Sequence, residues 1–147
     1  MKKTLNVCGL LFLLSFLFVS CKKKVDFVDH DVLTGGWAEM PQQTYNRTMS
    51  FETDGKFSYK VLGVDGYAQT TLNGKYAIKG DSLIVNILER LSKDDSGKIV
   101  RVKTNDYLFE KATFSITGFE LTINHITYPA DAPVFTQSKF IRLVAID

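Results

Sequence analysis

The chain has 147 residues, 45% of them hydrophobic, with 18 Lys+Arg against 16 Asp+Glu. That is one modest domain and too little for two. The formal charge of +2 is not a nucleic-acid signature: setting aside Lys2 and Lys3 as part of an export signal leaves 16 basic residues, and setting aside Lys22 to Lys24 as a tether leaves 13 against 16 acidic, a globular part expected to be mildly acidic. A nucleic-acid-binding domain requires the opposite balance, gathered on one face.

Residues 1–21 run MKKTLNVCGLLFLLSFLFVSC, with two lysines, an apolar stretch from 7 to 19, and a small residue before a cysteine. This is the order of a secretory signal. The apolar stretch is 13 residues long, short of the roughly 20 that a membrane-spanning helix needs. Phe18-Val19-Ser20-Cys21 resembles a bacterial lipobox, with Phe18 in the place usually held by Leu. The resemblance implies cleavage before Cys21 and a membrane anchor of acyl chains, palmitate among them, on that residue. Each buried methylene of such an anchor contributes about 0.8 kcal/mol. Cys8 lies inside the apolar stretch and is discarded with it, so the mature domain is left without a disulfide. Residues 22–32 read as a tether in which Lys22, Lys23 and Lys24 either meet anionic headgroups or serve as a solvated spacer. The expected location is the bacterial cell envelope, on the periplasmic side of the outer membrane, with exposure at the cell surface as the alternative.

From residue 33 to 147 the pattern is that of strands. Turn signals recur at Asp54-Gly55, Asp65-Gly66, Asn73-Gly74, Gly80-Asp81, Asp94-Asp95-Ser96-Gly97 and Thr117-Gly118. Between them the residues alternate with period two: Tyr45, Arg47, Met49 and Phe51 share one face, as do Phe57, Tyr59 and Val61. Ten candidate strands follow: 35–40, 44–53, 56–62, 66–72, 74–79, 82–90, 98–105, 107–117, 119–126 and 134–146. Asn73-Gly74 is either a hairpin turn or a bulge in one strand, which lowers the count toward eight. Short links make sequential strands antiparallel neighbours, and closing the sheet removes its edges. The expected fold is therefore all-β: a small antiparallel up-and-down β-barrel of 8–10 strands, with a two-sheet sandwich as the alternative.

Leu33-Thr34-Gly35-Gly36-Trp37 contains Gly35-x-Trp37, which resembles the G-x-W signature of lipocalins and of bacterial lipocalin-like lipoproteins. The segments 51–57, 74–83 and 114–123 resemble that bacterial group in the same order, and Phe140-Ile141-Arg142-Leu143 supplies a late arginine. The resemblance implies that Arg142 packs over Trp37 at the closed end of the barrel, a structural role for Gly35, Trp37 and Arg142.

No constellation for catalysis stands out, and the chain is expected to be non-enzymatic, with no cofactor and no metal. Asp29-His30-Asp31 lies before the barrel, and an extended segment cannot aim all three side chains at one point. His125 continues the inward face of Leu121 and Ile123 and is expected to be a satisfied polar residue. Asp94 and Asp95 lack the spacing of a calcium loop. Asn46-Arg47-Thr48 matches a glycosylation sequon, and Asp81-Ser82-Leu83 resembles a short O-glycosylation motif; a strand and a hairpin turn explain them. What remains is the lumen. A barrel of about eight strands holds packed side chains or one small ligand, and Tyr45, Arg47, Met49, Tyr59, Tyr76 and Phe114 are the candidate lining. Tyrosine hydroxyls and one guanidinium in an apolar cup suit a small hydrophobic or amphipathic molecule with an acidic or hydroxylated end. The competing expectation is a filled barrel that meets a protein or glycan partner through exposed Tyr67, Tyr107 and Tyr128.

Overall fold

The computed structural model describes residues 32–42, 44–63, 69–94, 96–129 and 132–144. The signal with Cys21, the tether as far as Asp31, the Asp29-His30-Asp31 run, the Asp65-Gly66 turn signal, Tyr67 and Asp95 lie outside the described residues. Eight strands follow one another: β1 (Gly35–Met40), β2 (Tyr45–Phe51), β3 (Lys56–Gly63), β4 (Gln69–Lys79), β5 (Ser82–Lys93), β6 (Ile99–Thr117), β7 (Glu120–Thr127) and β8 (Val134–Leu143). Each pairs antiparallel with the next, and β1 pairs with β8, so the sheet is a closed up-and-down barrel. Asp26, Asp29 and Asp31 precede it, and the domain from Leu33 onward holds 13 acidic and 13 basic residues. The barrel domain is neutral.

Ten candidate strands become eight because two apparent breaks are bulges. Asn73-Gly74 is no turn: β4 runs straight through it. Opposite this step the β5 partner moves from Glu89 to Ile87, so Leu88 is the extra residue and the bulge sits in β5. Gly74 is required there by space, since a Cβ on it would stand 2.0 Å from the carbonyl oxygen of Asn86. The apparent break near residue 106 has the same origin. Between Leu83 and Glu89 the β6 partners run from Ala112 to Lys103 with three register shifts, so β6 carries extra residues and curls.

The β2–β3, β4–β5 and β6–β7 turns lie at one end of the barrel, with the start of β1 and the end of β8. The apolar core fills this end. Phe51 meets Phe57 at 5.1 Å and Tyr76 at 4.9 Å between ring centroids, and Leu83, Val85, Leu121 and Ile123 pack beside them without exposure. The Tyr76 hydroxyl donates to the carbonyl of Glu52 at 3.0 Å.

Trp37 plugs the end. It is wholly buried, and its indole Nε1 donates to the carbonyl of Leu33 at 2.8 Å. Its register partner across the closing seam is Arg142, whose guanidinium carbon lies 4.3 Å from the ring centroid. The same guanidinium donates to the carbonyls of Thr34 at 2.8 Å and Val32 at 3.0 Å. Gly35 makes the approach to Trp37 with φ of +121°, in the range that disfavours side chains, and the space where its Cβ would go abuts Arg142.

Arg142→Met should lower unfolding free energy by about 2–4 kcal/mol in chemical denaturation, through the lost charged hydrogen bonds and ring contact. A double-mutant cycle with Trp37→Leu should show coupling of about 0.5–2 kcal/mol; strict additivity would contradict the stacked geometry. Gly74→Ala should cost about 1–3 kcal/mol, toward the upper end because the obstacle is backbone. An unchanged denaturation midpoint would mean that β4 and β5 are not so closely apposed.

Candidate functional site

Above the apolar layer the inward positions change character. On β1 the position after Trp37 on the same face is Glu39; on β2 the position above Met49 is Arg47; on β3 the position above Phe57 is Tyr59. On β7 His125 follows Ile123, and on β8 Ser138 and Thr136 follow Phe140. These residues, with Leu108, Phe109, Thr127 and Tyr128, line a cavity of about 410 Å³ at the end opposite Trp37. This is the volume of a small-ligand pocket. A second hollow of about 310 Å³, lined by Leu72, Ile87, Arg90, Val102 and Asp106 among others, adjoins it through Leu108.

The wall is incomplete beside this cavity. β6 pairs with β7 only from Thr113 to Thr117, against Asn124 to Glu120. Residues 99–112 of β6 and 125–127 of β7 have no ladder between them, and Leu108 and Phe109 face His125 and Ile126 across the gap. The bulges that curl β6 lead it away from β7 here.

Arg47 Nη1 contacts both carboxylate oxygens of Glu39, at 3.2 and 3.3 Å, and the Glu39 side chain is only 11% exposed. The two charges therefore cancel within the cavity wall. Tyr59 stands beside the pair; burial, and the Glu39 carboxylate with it, push its phenol up to about 12 against the opposite pull of Arg47, so the hydroxyl keeps its proton. The ring of Phe109 meets that of His125 edge-on, with centroids 5.0 Å apart. His125 Nδ1 is buried without a hydrogen-bond partner. His125 is thus not the satisfied residue expected from its place in the alternation. Burial penalises the imidazolium and holds the His125 pKa below its ordinary 6.5, while the backbone of Ile123 pulls the other way by less.

Of the candidate lining residues, Arg47 and Tyr59 reach the cavity. Met49 and Tyr76 are core residues of the layer below, almost fully buried. Phe114 packs partly buried against that same core. Tyr45 lies beyond Arg47 on β2 and is 47% exposed. Glu39, Thr136 and Ser138 were within reach of sequence reasoning, because they alternate with Trp37 and Phe140. Phe109 and Leu108 were not, since the bulges in β6 break the alternation that would have placed them. Among the described residues no three His, Cys, Asp or Glu side chains stand together as a metal requires. Comparisons with protein-family models, curated proteins and solved structures find no match.

The depressed pKa of His125 has a definite sign. Between its folded value and 6.5 the unfolded chain binds the extra proton, so this residue's contribution to stability is complete above about pH 6.5 and is lost as pH falls below it. His125→Gln should flatten the fall in unfolding free energy between pH 7 and pH 5. An identical slope for the two proteins in urea titrations would show that the ring titrates as if in water.

Proposed function

We propose that this protein is a non-catalytic, lipid-anchored binding protein of a bacterial cell envelope, whose barrel mouth takes one small hydrophobic or amphipathic molecule. The single observation that carries the binding half is the cavity of about 410 Å³ above a solid core. A barrel that served only as a rigid body would gain stability by filling that space with side chains. Instead it is walled by an ion pair, two hydroxyl-bearing residues of β8, a phenol and an imidazole, over a floor of Phe109 and Phe140.

The anchor half draws on the signal-like segment and the lipobox resemblance at Cys21. The described chain begins at Val32, beside Arg142 at the plugged end. A lipid on Cys21, only 11 residues earlier, tethers the barrel by the end opposite the cavity. The mouth then faces away from its own point of attachment, open to the periplasm in the orientation proposed. A second reading, a barrel acting through its outer surface on a protein or glycan, draws on Tyr107 and Tyr128, which are 56% and 67% exposed.

Mature protein should displace the neutral dye N-phenyl-1-naphthylamine from buffer into a fluorescent bound state, and Ser138→Trp, which fills the cavity from β8, should abolish the signal with circular dichroism unchanged. Equal dye binding by both proteins would remove the cavity as the site. Mass spectrometry of the membrane-extracted chain should find Cys21 as an acylated amino terminus; an unmodified terminus at any residue ends the lipoprotein reading.

A further inference from the structure

We infer that the cavity selects an uncharged, hydroxyl-headed amphiphile over an acid of the same chain length. The inference rests on the binding reading above and specifies its ligand.

Among the described residues the polar wall contains one cation, and that cation is already matched. Both Glu39 oxygens lie within 3.3 Å of Arg47 Nη1, and the carboxylate is the more enclosed of the two partners. A carboxylate ligand drawn to Arg47 would sit beside the largely enclosed Glu39 carboxylate, and the two like charges would repel. Separating Glu39 from Arg47 to admit it would leave a largely buried anion without its partner, which costs more than a new pair returns.

The other groups ask for a hydroxyl. His125 Nδ1 is buried and unpartnered. In a neutral imidazole one nitrogen donates and the other accepts, and a hydroxyl satisfies either, whereas a carboxylate can satisfy only a donor. Tyr59 likewise keeps a protonated oxygen that both gives and takes. Ser138 and Thr136 add neutral hydroxyls on the facing strand. The apolar part of the ligand has a place as well. Leu108, Phe109 and Ile126 line the cavity where β6 and β7 are unpaired, and give a hydrocarbon chain an apolar surface to lie on.

Competition against N-phenyl-1-naphthylamine at pH 8 compares 1-decanol with decanoate on the mature chain. The alcohol should compete about tenfold more tightly or better, a difference of about 1.4 kcal/mol. Glu39→Gln, which keeps the shape and frees the Arg47 charge, should narrow or reverse that ratio. Decanoate competing as well as decanol in the unmodified protein overturns the inference and leaves the binding reading in place. An unchanged ratio in a folded Glu39→Gln protein also overturns it. No competition by either compound overturns the inference together with the binding reading. The wild-type ratio needs no variant, so a Glu39→Gln protein that fails to fold does not remove the test.

Discussion

The barrel depends on how its first and last strands are joined. A closed sheet of eight strands has a seam where residues about a hundred positions apart must meet, and loop-closure entropy opposes the meeting. Here the seam is secured at its lower end by Trp37 and Arg142, register partners across β1 and β8. The indole fills the centre of the plugged end while its Nε1 holds the Leu33 carbonyl. The guanidinium covers the ring and donates to two carbonyls of the segment that leads into β1. One cluster thus closes the sheet, caps the core and pins the chain's entry. Without the cap, the phenylalanines of the layer above would border solvent.

A plug at one end decides what the other end can be. Packed aromatics and aliphatics occupy the lower layer up to Met49, Val85 and Ile123. One strand position higher, the inward residues become Glu39, Arg47, Tyr59, His125 and Ser138. Burying such groups is costly unless they find partners or water. The Glu39–Arg47 pair solves this internally; His125 Nδ1 does not. The plugged half carries the fold, and the less well satisfied polar groups are gathered in the other half.

Alternation made the eightfold meander legible wherever each strand kept period two. β2, β3 and β7 read directly from Tyr45 to Phe51, from Phe57 to Val61 and from Leu121 to His125. It failed where the backbone departed from the ladder. Asn73-Gly74 carries the residues of a tight turn, yet its glycine serves a close approach to Asn86; the two causes of an Asn-Gly pair are indistinguishable without the partner strand. In β6, bulges change the inward set from one face of the alternation to the other, which divided one strand of 19 residues into two and hid Phe109. The candidate site was half legible for the same reason. Met49, Tyr76 and Phe114 were favoured as lining but pack in or against the core, while Glu39, His125, Thr136 and Ser138 join Arg47 and Tyr59 around the cavity.

The irregular strand and the site are one feature. A β6 without extra residues would follow β7 along its whole length, closing the wall and drawing Leu108 and Phe109 out of the cavity lining. The bulges beside Val85 and Ile87 instead turn β6 aside above Thr113. That costs several ladder hydrogen bonds, each worth about 0.5–1.5 kcal/mol net, and leaves β6 and β7 unpaired beside the buried His125 Nδ1, which lacks a partner. Regular strands hold the plugged end and an irregular strand forms the mouth, so substitutions that straighten β6 would trade the cavity for stability without touching the Trp37 end.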